Sequence, residues 1–211
     1  LFLYKNFNYQ LKVKILSMET RSQLRATIRQ RRNALSTNEQ KKAGLSLAEI
    51  LSGHTKIQQA SRIAIYLTND GELSTRSFID WCWQNNKQVY LPVVHPFSPG
   101  NLLFLQYQQD TKLINNVYGI LEPQLDVTKV CPLAELDIIC TPLVAFDVFG
   151  ARLGMGGGFY DRSLAHWQQT KLYPIGLAHD CQQVTKVPVE TWDIPLPEII
   201  TPNKRYCFYN E

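Results

Sequence analysis

The residues with the most chemical content lie in one run, Asp147-Val-Phe-Gly-Ala-Arg-Leu-Gly-Met-Gly-Gly-Gly-Phe-Tyr-Asp161. Five of the chain's 11 glycines fall between Gly150 and Gly158, too local a concentration for ordinary turns. Glycines at Gly154, Gly156, Gly157 and Gly158 permit left-handed backbone and let N–H groups approach a ligand without Cβ interference. Such a loop, leaving a buried strand and entering a helix, aims its amides and the helix N-terminus at one point, a geometry that binds phosphate. Arg152 adds a guanidinium suited to bidentate phosphate contact. No Gly-Lys-Ser/Thr follows, and the glycine spacing does not fit the dinucleotide fingerprint. The plain alternative is a flexible glycine connection. Asp161 either complements the first turn of its helix or holds Mg²⁺ on a bound triphosphate, and the adjacent phosphate loop favours the metal.

A second constellation is basic. Arg21, Arg25, Arg29 and Arg32 recur at spacings of four, four and three. On a wheel of about 100° per residue they form a stripe next to the apolar line of Leu24, Ile28 and Leu35. They therefore border a buried seam. A solvated face with snorkelling stems is one reading of such a stripe; an anion site is the other.

The elements that must position these groups are legible as periodicity. A helix is expected from Glu19 to about Ala34. Ser36 and Glu39 form a capping-box pattern with Leu35 as the staple, opening a helix with Ala43, Leu47, Ile50 and Leu51 inward and Gly53 as its stop. Strands are expected at 62–67, 88–94, 101–107, within 136–146 and at 173–178, and helices at 75–84 and 159–169; residues 118–123 read as a loop. Alternating strands and helices argue for an α/β sandwich with a largely parallel sheet. No repeat or linker divides residues 18–211. Residues 1–17 carry Lys5, Lys12 and Lys14 among their apolar residues, unlike a secretory signal. They are expected to be an extension outside the fold, upstream of Met18, with an extra edge strand as the alternative.

Composition narrows the function. With 45% apolar and 19% charged residues the chain is neither disordered nor of low complexity. No run of about 18 apolar residues could span a membrane. Lys plus Arg is 22 against 18 for Asp plus Glu, a net charge of +4 that a local anion site explains as well as nucleic acid does. Cys82, Cys131, Cys140, Cys181 and Cys207 are scattered without metal or disulfide spacing, which points to a reducing cytoplasm.

The run Arg152-Leu-Gly-Met-Gly-Gly-Gly-Phe-Tyr-Asp161, with Asp147 and Gly150 upstream, closely resembles the signature of 5-formyltetrahydrofolate cyclo-ligases. Arg21-Ser-Gln-Leu-Arg25, Tyr66-Leu-Thr-Asn-Asp-Gly-Glu-Leu-Ser-Thr75 and Val187-Pro-Val-Glu-Thr-Trp-Asp193 fit that family in order, so the resemblance spans roughly Thr20 to Thr201. It implies ATP- and Mg²⁺-dependent closure of 5-formyltetrahydrofolate to 5,10-methenyltetrahydrofolate, releasing ADP and phosphate. It also implies a three-layer α/β sandwich of the sugar-phosphate isomerase and CoA-transferase type. Residue by residue, the resemblance places ATP on Arg21, Arg25 and the run Arg152, Leu153, Gly154, Met155, Gly156, Gly157, Gly158, Phe159 and Tyr160. Leu67, Glu72 and Tyr160 match the folate side, with Arg152 and Tyr160 nearest the reaction, and Asp161 and Asp193 match positions assigned to Mg²⁺. Two departures stand out. Met155 occupies a position that is basic in some members, and Pro197 replaces an acid, although Glu198 follows. The partners implied are the two small-molecule substrates, acting on a monomer without nucleic acid or membrane.

The chemistry accounts for such a site. A formamide oxygen leaves poorly, so phosphorylating it before nitrogen 10 attacks the formyl carbon lets ring closure expel phosphate. The protein must then align groups and neutralise charge rather than supply a covalent nucleophile. Two other functions are compatible with parts of the pattern: a basic RNA-binding module, which leaves the glycine loop unexplained, and a sugar-phosphate isomerase, which needs no ATP.

Overall fold

The computed structural model describes residues 19–208, so the expectation for residues 1–17 lies outside the described part. Helix α1 (Arg21–Asn33) opens on a capping box in which the Thr20 hydroxyl accepts from the Gln23 amide and Gln23 reaches back to the Thr20 amide. Helix α2 (Thr37–Ser52) starts at Ser36 with Glu39 closing the expected box, and Gly53 ends it. A short α3 (Thr55–Gln59) leads into β1 (Arg62–Ala64), α4 (Arg76–Gln84), β2 (Gln88–Val94) and β3 (Leu102–Tyr107). There follow a hairpin of β4 (Leu113–Asn115) and β5 (Leu121–Pro123), then β6 (Val130–Cys131), β7 (Ile138–Pro142), and a second hairpin of β8 (Ala145–Phe146) and β9 (Arg152–Leu153). The chain finishes with α5 (Phe159–Leu164), β10 (Tyr173–Leu177), β11 (Glu198–Ile200) and β12 (Arg205–Cys207).

Eight strands form one sheet in the order β12-β11-β10-β7-β1-β2-β3-β6. The central five, from β11 to β2, run parallel, and the antiparallel strands lie toward the edges. Parallel strands are covered on both faces, and the alternation of side chains shows how. Ile63, Val89, Leu91, Ile138, Cys140, Ile175 and Leu177 pack on one face with Leu47, Leu51, Ile57, Phe78 and Ile79 of α2, α3 and α4. Their sequence neighbours Ala64, Tyr90, Ile139 and Ala178 face the other way, toward Leu164 of α5, Phe146 and Leu196. A third, small core docks α1: Leu24 and Ile28 meet Val144, Ala145, Leu153 and Val187.

The differences from the sequence reading have local causes. The expected 62–67 strand leaves the sheet after Ile65, whose amide still donates to Tyr90 O at 2.9 Å. Beyond it Tyr66 and Leu67 line a crevice that opens at the carboxyl ends of the parallel strands, where sheets of this type place their ligands. The expected helix 159–169 stops at Leu164, and Trp167–Gln169 forms a separate 3₁₀ turn whose Trp167 ring meets Tyr173 edge-on. The loop expected at 118–123 is the turn and second strand of the β4–β5 hairpin. The glycine-rich run is also divided, because Arg152 and Leu153 pair with Phe146 and Ala145 before the loop proper begins.

Candidate active site

The β8–β9 hairpin fixes the start of the glycine loop, and Asp147 fixes the hairpin. Its buried carboxylate accepts from the amides of Phe149 (2.9 Å) and Ala151 (3.2 Å) across the turn and from Val187 (2.9 Å) in a distant segment. Gly150 at the turn has φ +85°, and a Cβ there would stand 2.8 Å from the Phe208 ring. Within the loop Gly156 (φ +106°) and Gly158 (φ +66°) adopt left-handed backbone, whereas Gly154 and Gly157 do not.

Arg152 leaves β9 almost fully buried, with Nη2 donating to Asp161 Oδ1 at 2.7 Å and Nε lacking any partner. Burial lowers its pKa, with Asp161 and Asp193 opposing the shift. The Asp161 Oδ1 atom also accepts from the Ile194 amide at 3.2 Å. One residue earlier in the chain, Asp193 grips Arg21 with both oxygens, at 2.5 and 3.0 Å, and its Oδ2 further accepts from the Glu190 amide at 2.8 Å. That grip raises the Arg21 pKa. It also brings Asp193 below the usual carboxylate range, although burial works the other way. Arg25 donates through Nε to Gly154 O at 2.8 Å, and its guanidinium lies against Gly156; burial, and then Arg21, lower its pKa.

A cavity of about 520 Å³ runs from this basic end into a mostly apolar chamber. Leu67, Leu91, Pro92 and Leu143 wall it, the β4–β5 hairpin closes one side through Tyr118, and Tyr118 meets Phe159 edge-to-face at 6.0 Å. Glu72 is the acid of the chamber. Burial, with some help from Asp70 and against Arg32, pushes its carboxyl up to about 7, and its Oε2 accepts from the Asn69 amide at 3.1 Å. Burial raises the Tyr66 and Tyr160 hydroxyls too, so both stay protonated near neutrality. At the rim Asp70 (φ +49°) gathers Arg29, Arg32 and Asn33, and these hydrogen bonds overcome burial to bring its carboxyl down to about 2.

Most of the expected site residues converge. Leu67, Glu72, Arg152, Gly154, Met155, Gly157, Gly158, Phe159, Tyr160 and Asp161 line the cavity. Arg21, Arg25, Gly156 and Asp193 stand behind it, joined through Asp161 and Gly154. Leu153 is wholly buried in the small core under α1, where it anchors the loop. Glu198 does not compensate for Pro197, since it is buried in β11 between His54 (2.9 Å) and Arg205 (2.7 Å). The arginine stripe divides: Arg25 goes to the loop, Arg21 to Asp193 and the Pro188 carbonyl, and Arg29 and Arg32 to Asp70. The sequence reading missed the hairpin: Asn116 and Tyr118 face the cavity, and Glu122 braces β2 by accepting from the Val94 amide. No apolar run marked strands of three residues.

Among the described residues no three His, Cys, Asp or Glu side chains gather as a metal cage. Mg²⁺ needs none, because it takes one or two carboxylates and fills its octahedron with phosphate oxygens and water. Asp161 fits that role with Oδ2, whereas both Asp193 oxygens are already engaged.

A parallel-sheet crevice that joins a glycine–arginine cradle to an apolar chamber defines an α/β protein with one cavity that is basic at one end and apolar at the other. The chain belongs to the 5-formyltetrahydrofolate cyclo-ligase family, whose model matches residues 17–202. It is 53% identical over 177 residues to the 5-formyltetrahydrofolate cyclo-ligase of Escherichia coli (strain K12), covering 84% of this chain and 97% of that protein. It is 49% identical over 185 residues to that of Haemophilus influenzae, covering 88% and 99%. Its fold is similar to the solved 5,10-methenyltetrahydrofolate synthetase of Aquifex aeolicus, with a TM-score of 0.78 and 25% identity over 90% of this chain and 94% of the other.

Proposed function

We propose that the protein closes 5-formyltetrahydrofolate to 5,10-methenyltetrahydrofolate at the expense of ATP, with ADP and phosphate as the other products. The observation that carries this reading is that the cradle and the chamber are one cavity. A phosphate donor held by Arg152, the loop amides and the N-terminus of α5 then faces a folate ring lodged between Leu67, Pro92 and Leu143. Transfer of the γ-phosphoryl group to the formyl oxygen makes that oxygen a leaving group; nitrogen 10 attacks the formyl carbon, the carbon–oxygen bond breaks, and phosphate departs. Arg152 meets the charge that develops on the transferred group. Glu72, ionising near neutrality, takes the proton that nitrogen 10 gives up. Tyr160 stays protonated between the two ends and donates a hydrogen bond toward the formyl group.

Mg²⁺ on the triphosphate belongs to the same reading, with Asp161 as the protein's ligand; it would neutralise phosphate charge. Asp193 acts by holding Arg21 in place, and reaches the metal only if that grip opens. The five free cysteines support a reducing cytoplasm as the enzyme's place, where it would act on small molecules. The test is to follow ADP and methenyltetrahydrofolate together. Equimolar appearance, dependent on ATP, Mg²⁺ and formyl-folate, is expected; product without ATP, or ATP hydrolysis indifferent to folate, would sink the proposal.

A further inference from the structure

Arg162 belongs to none of the roles above, yet the glycine loop is built around it. It lies one turn into α5, and side chains on a helix lean back toward its N-terminus, here over the loop that precedes it. Its Nη2 donates to Gly157 O at 2.5 Å and its Nε to Gly100 O, in the β2–β3 turn, at 2.6 Å. The guanidinium rests 5.8 Å from the centre of the Phe159 ring. Two glycines make room for it. A Cβ at Gly100 (φ +81°) would fall 2.3 Å from Nη2, and one at Gly158 (φ +66°) would fall 2.8 Å from Nη1. Gly100, 58 or more positions away in sequence, thus shares one spatial requirement with Gly158 and Arg162.

The contact has a directional consequence. In a planar trans peptide the carbonyl and the following N–H point in opposite directions. Binding Gly157 O from the α5 side therefore turns the Gly158 amide away from Arg162. Arg25, arriving from α1, does the same at Gly154 O and so orients the Met155 amide. The loop is strung between two arginines that hold its carbonyls. Among the described residues no carboxylate pairs with Arg162, so its role here is the two main-chain carbonyls.

We propose that Arg162 is a positioning residue for the loop: held between Gly100 and Gly158, it fixes the Gly157–Gly158 peptide and thereby sets affinity for the nucleotide's phosphates. The consequence for ATP rests on the reading under Proposed function; the clamp itself does not. The test takes Arg162→Ala, Arg162→Lys and Gly100→Ala in the full chain. Hydrogen exchange of a peptide covering 155–159, without nucleotide, should quicken in Arg162→Ala and Gly100→Ala. The KM for ATP should rise about 10-fold or more in both, with the KM for formyl-folate within twofold and the melting temperature little changed. Arg162→Lys should fail to restore it, because one ammonium cannot serve two carbonyls in the fork geometry. The double variant Arg162→Ala/Gly100→Ala should be no worse than either single one, since both act on one contact. Unchanged exchange would overturn the clamp. Faster exchange with an unchanged KM for ATP would overturn its link to the nucleotide, as would equal rises in both KM values or full rescue by lysine. Failure of the ATP reading would show separately, as wild-type turnover without ATP.

Discussion

In the proposed reaction Arg152 and Glu72 divide the chemistry between the two ends of the cavity, and each makes a distinct forecast. Arg152→Ala removes a buried guanidinium whose charge-assisted contacts are worth about 1.5–3 kcal/mol. At 1.4 kcal/mol per tenfold, kcat/KM for ATP should fall roughly 10- to 150-fold; unchanged ATP kinetics would remove Arg152 from the site. Glu72 is the pH-sensitive member. Its folded pKa, about 7, lies above the usual 4.5, so burial favours the protonated form and stability is lost as pH rises through that interval. The melting temperature of the wild type should fall between pH 5 and 8 relative to Glu72→Gln, whose side chain stays neutral. The same ionisation should make wild-type kcat/KM rise through about pH 7, and Glu72→Gln should lose that rise with about 10²-fold of activity. A parallel pair of stability profiles would refute the burial argument, and a retained rise in kcat/KM would refute the proton transfer. Neither property was readable from residue type. Glu72 could be seen as a candidate in its segment, but its ionisation is set by a chamber assembled from β1, β2 and β7.

At the scale of elements, Asp147 shows how a turn is made to serve a loop. Its three amide contacts tie β8, β9 and the 187 segment together, so Asp147→Ala strips the acceptor from the buried Val187 amide and from the part-buried amides of Phe149 and Ala151. The expected cost is about 3 kcal/mol or more, which for a chain of this size lowers the melting temperature by roughly 6–12 °C. Thermal unfolding would measure it, and a change under 2 °C would mean that water replaces the carboxylate. The elements differed in how far the sequence revealed them. Helix α2 was legible from end to end because its cap, apolar stripe and stop are all local signals. Strands β1, β2, β7 and β10 at the centre of the sheet were legible as apolar runs. By contrast β8, β9, β11 and β12 are two or three residues long, and their pairing is decided by partners elsewhere in the chain. The loop was legible as glycines, but the hairpin that launches it depends on a carboxylate reaching residue 187, which no spacing discloses.

For the molecule as a whole, ligand binding should register as stability, since a nucleotide that binds only the folded chain adds about 2.7 kcal/mol at 100 times its Kd. ATP with Mg²⁺ should therefore raise the melting temperature by roughly 5–11 °C. In Asp161→Asn, ATP should still stabilise, but the increment from adding Mg²⁺ should shrink; an unaltered increment would exclude Asp161 as the ligand. Both ends of the described chain enter that measurement, because Arg21 and Asp193 meet across 172 positions. This pairing bears on the order of synthesis. Helix α1 emerges from the ribosome early, with its capping box able to form at once, but its apolar seam finds Val144, Leu153 and Val187 only when most of the chain has been made. Contacts so distant in sequence are slow to close, and until they do Arg21 lacks the carboxylate that holds it and Arg25 lacks the loop carbonyl it binds, whereas Arg29 and Arg32 can already meet Asp70. A nascent chain, or one cut before residue 193, thus carries Arg21 without the carboxylate that fixes it beside the proposed nucleotide site. Completion of the polypeptide is itself the step that arms the site.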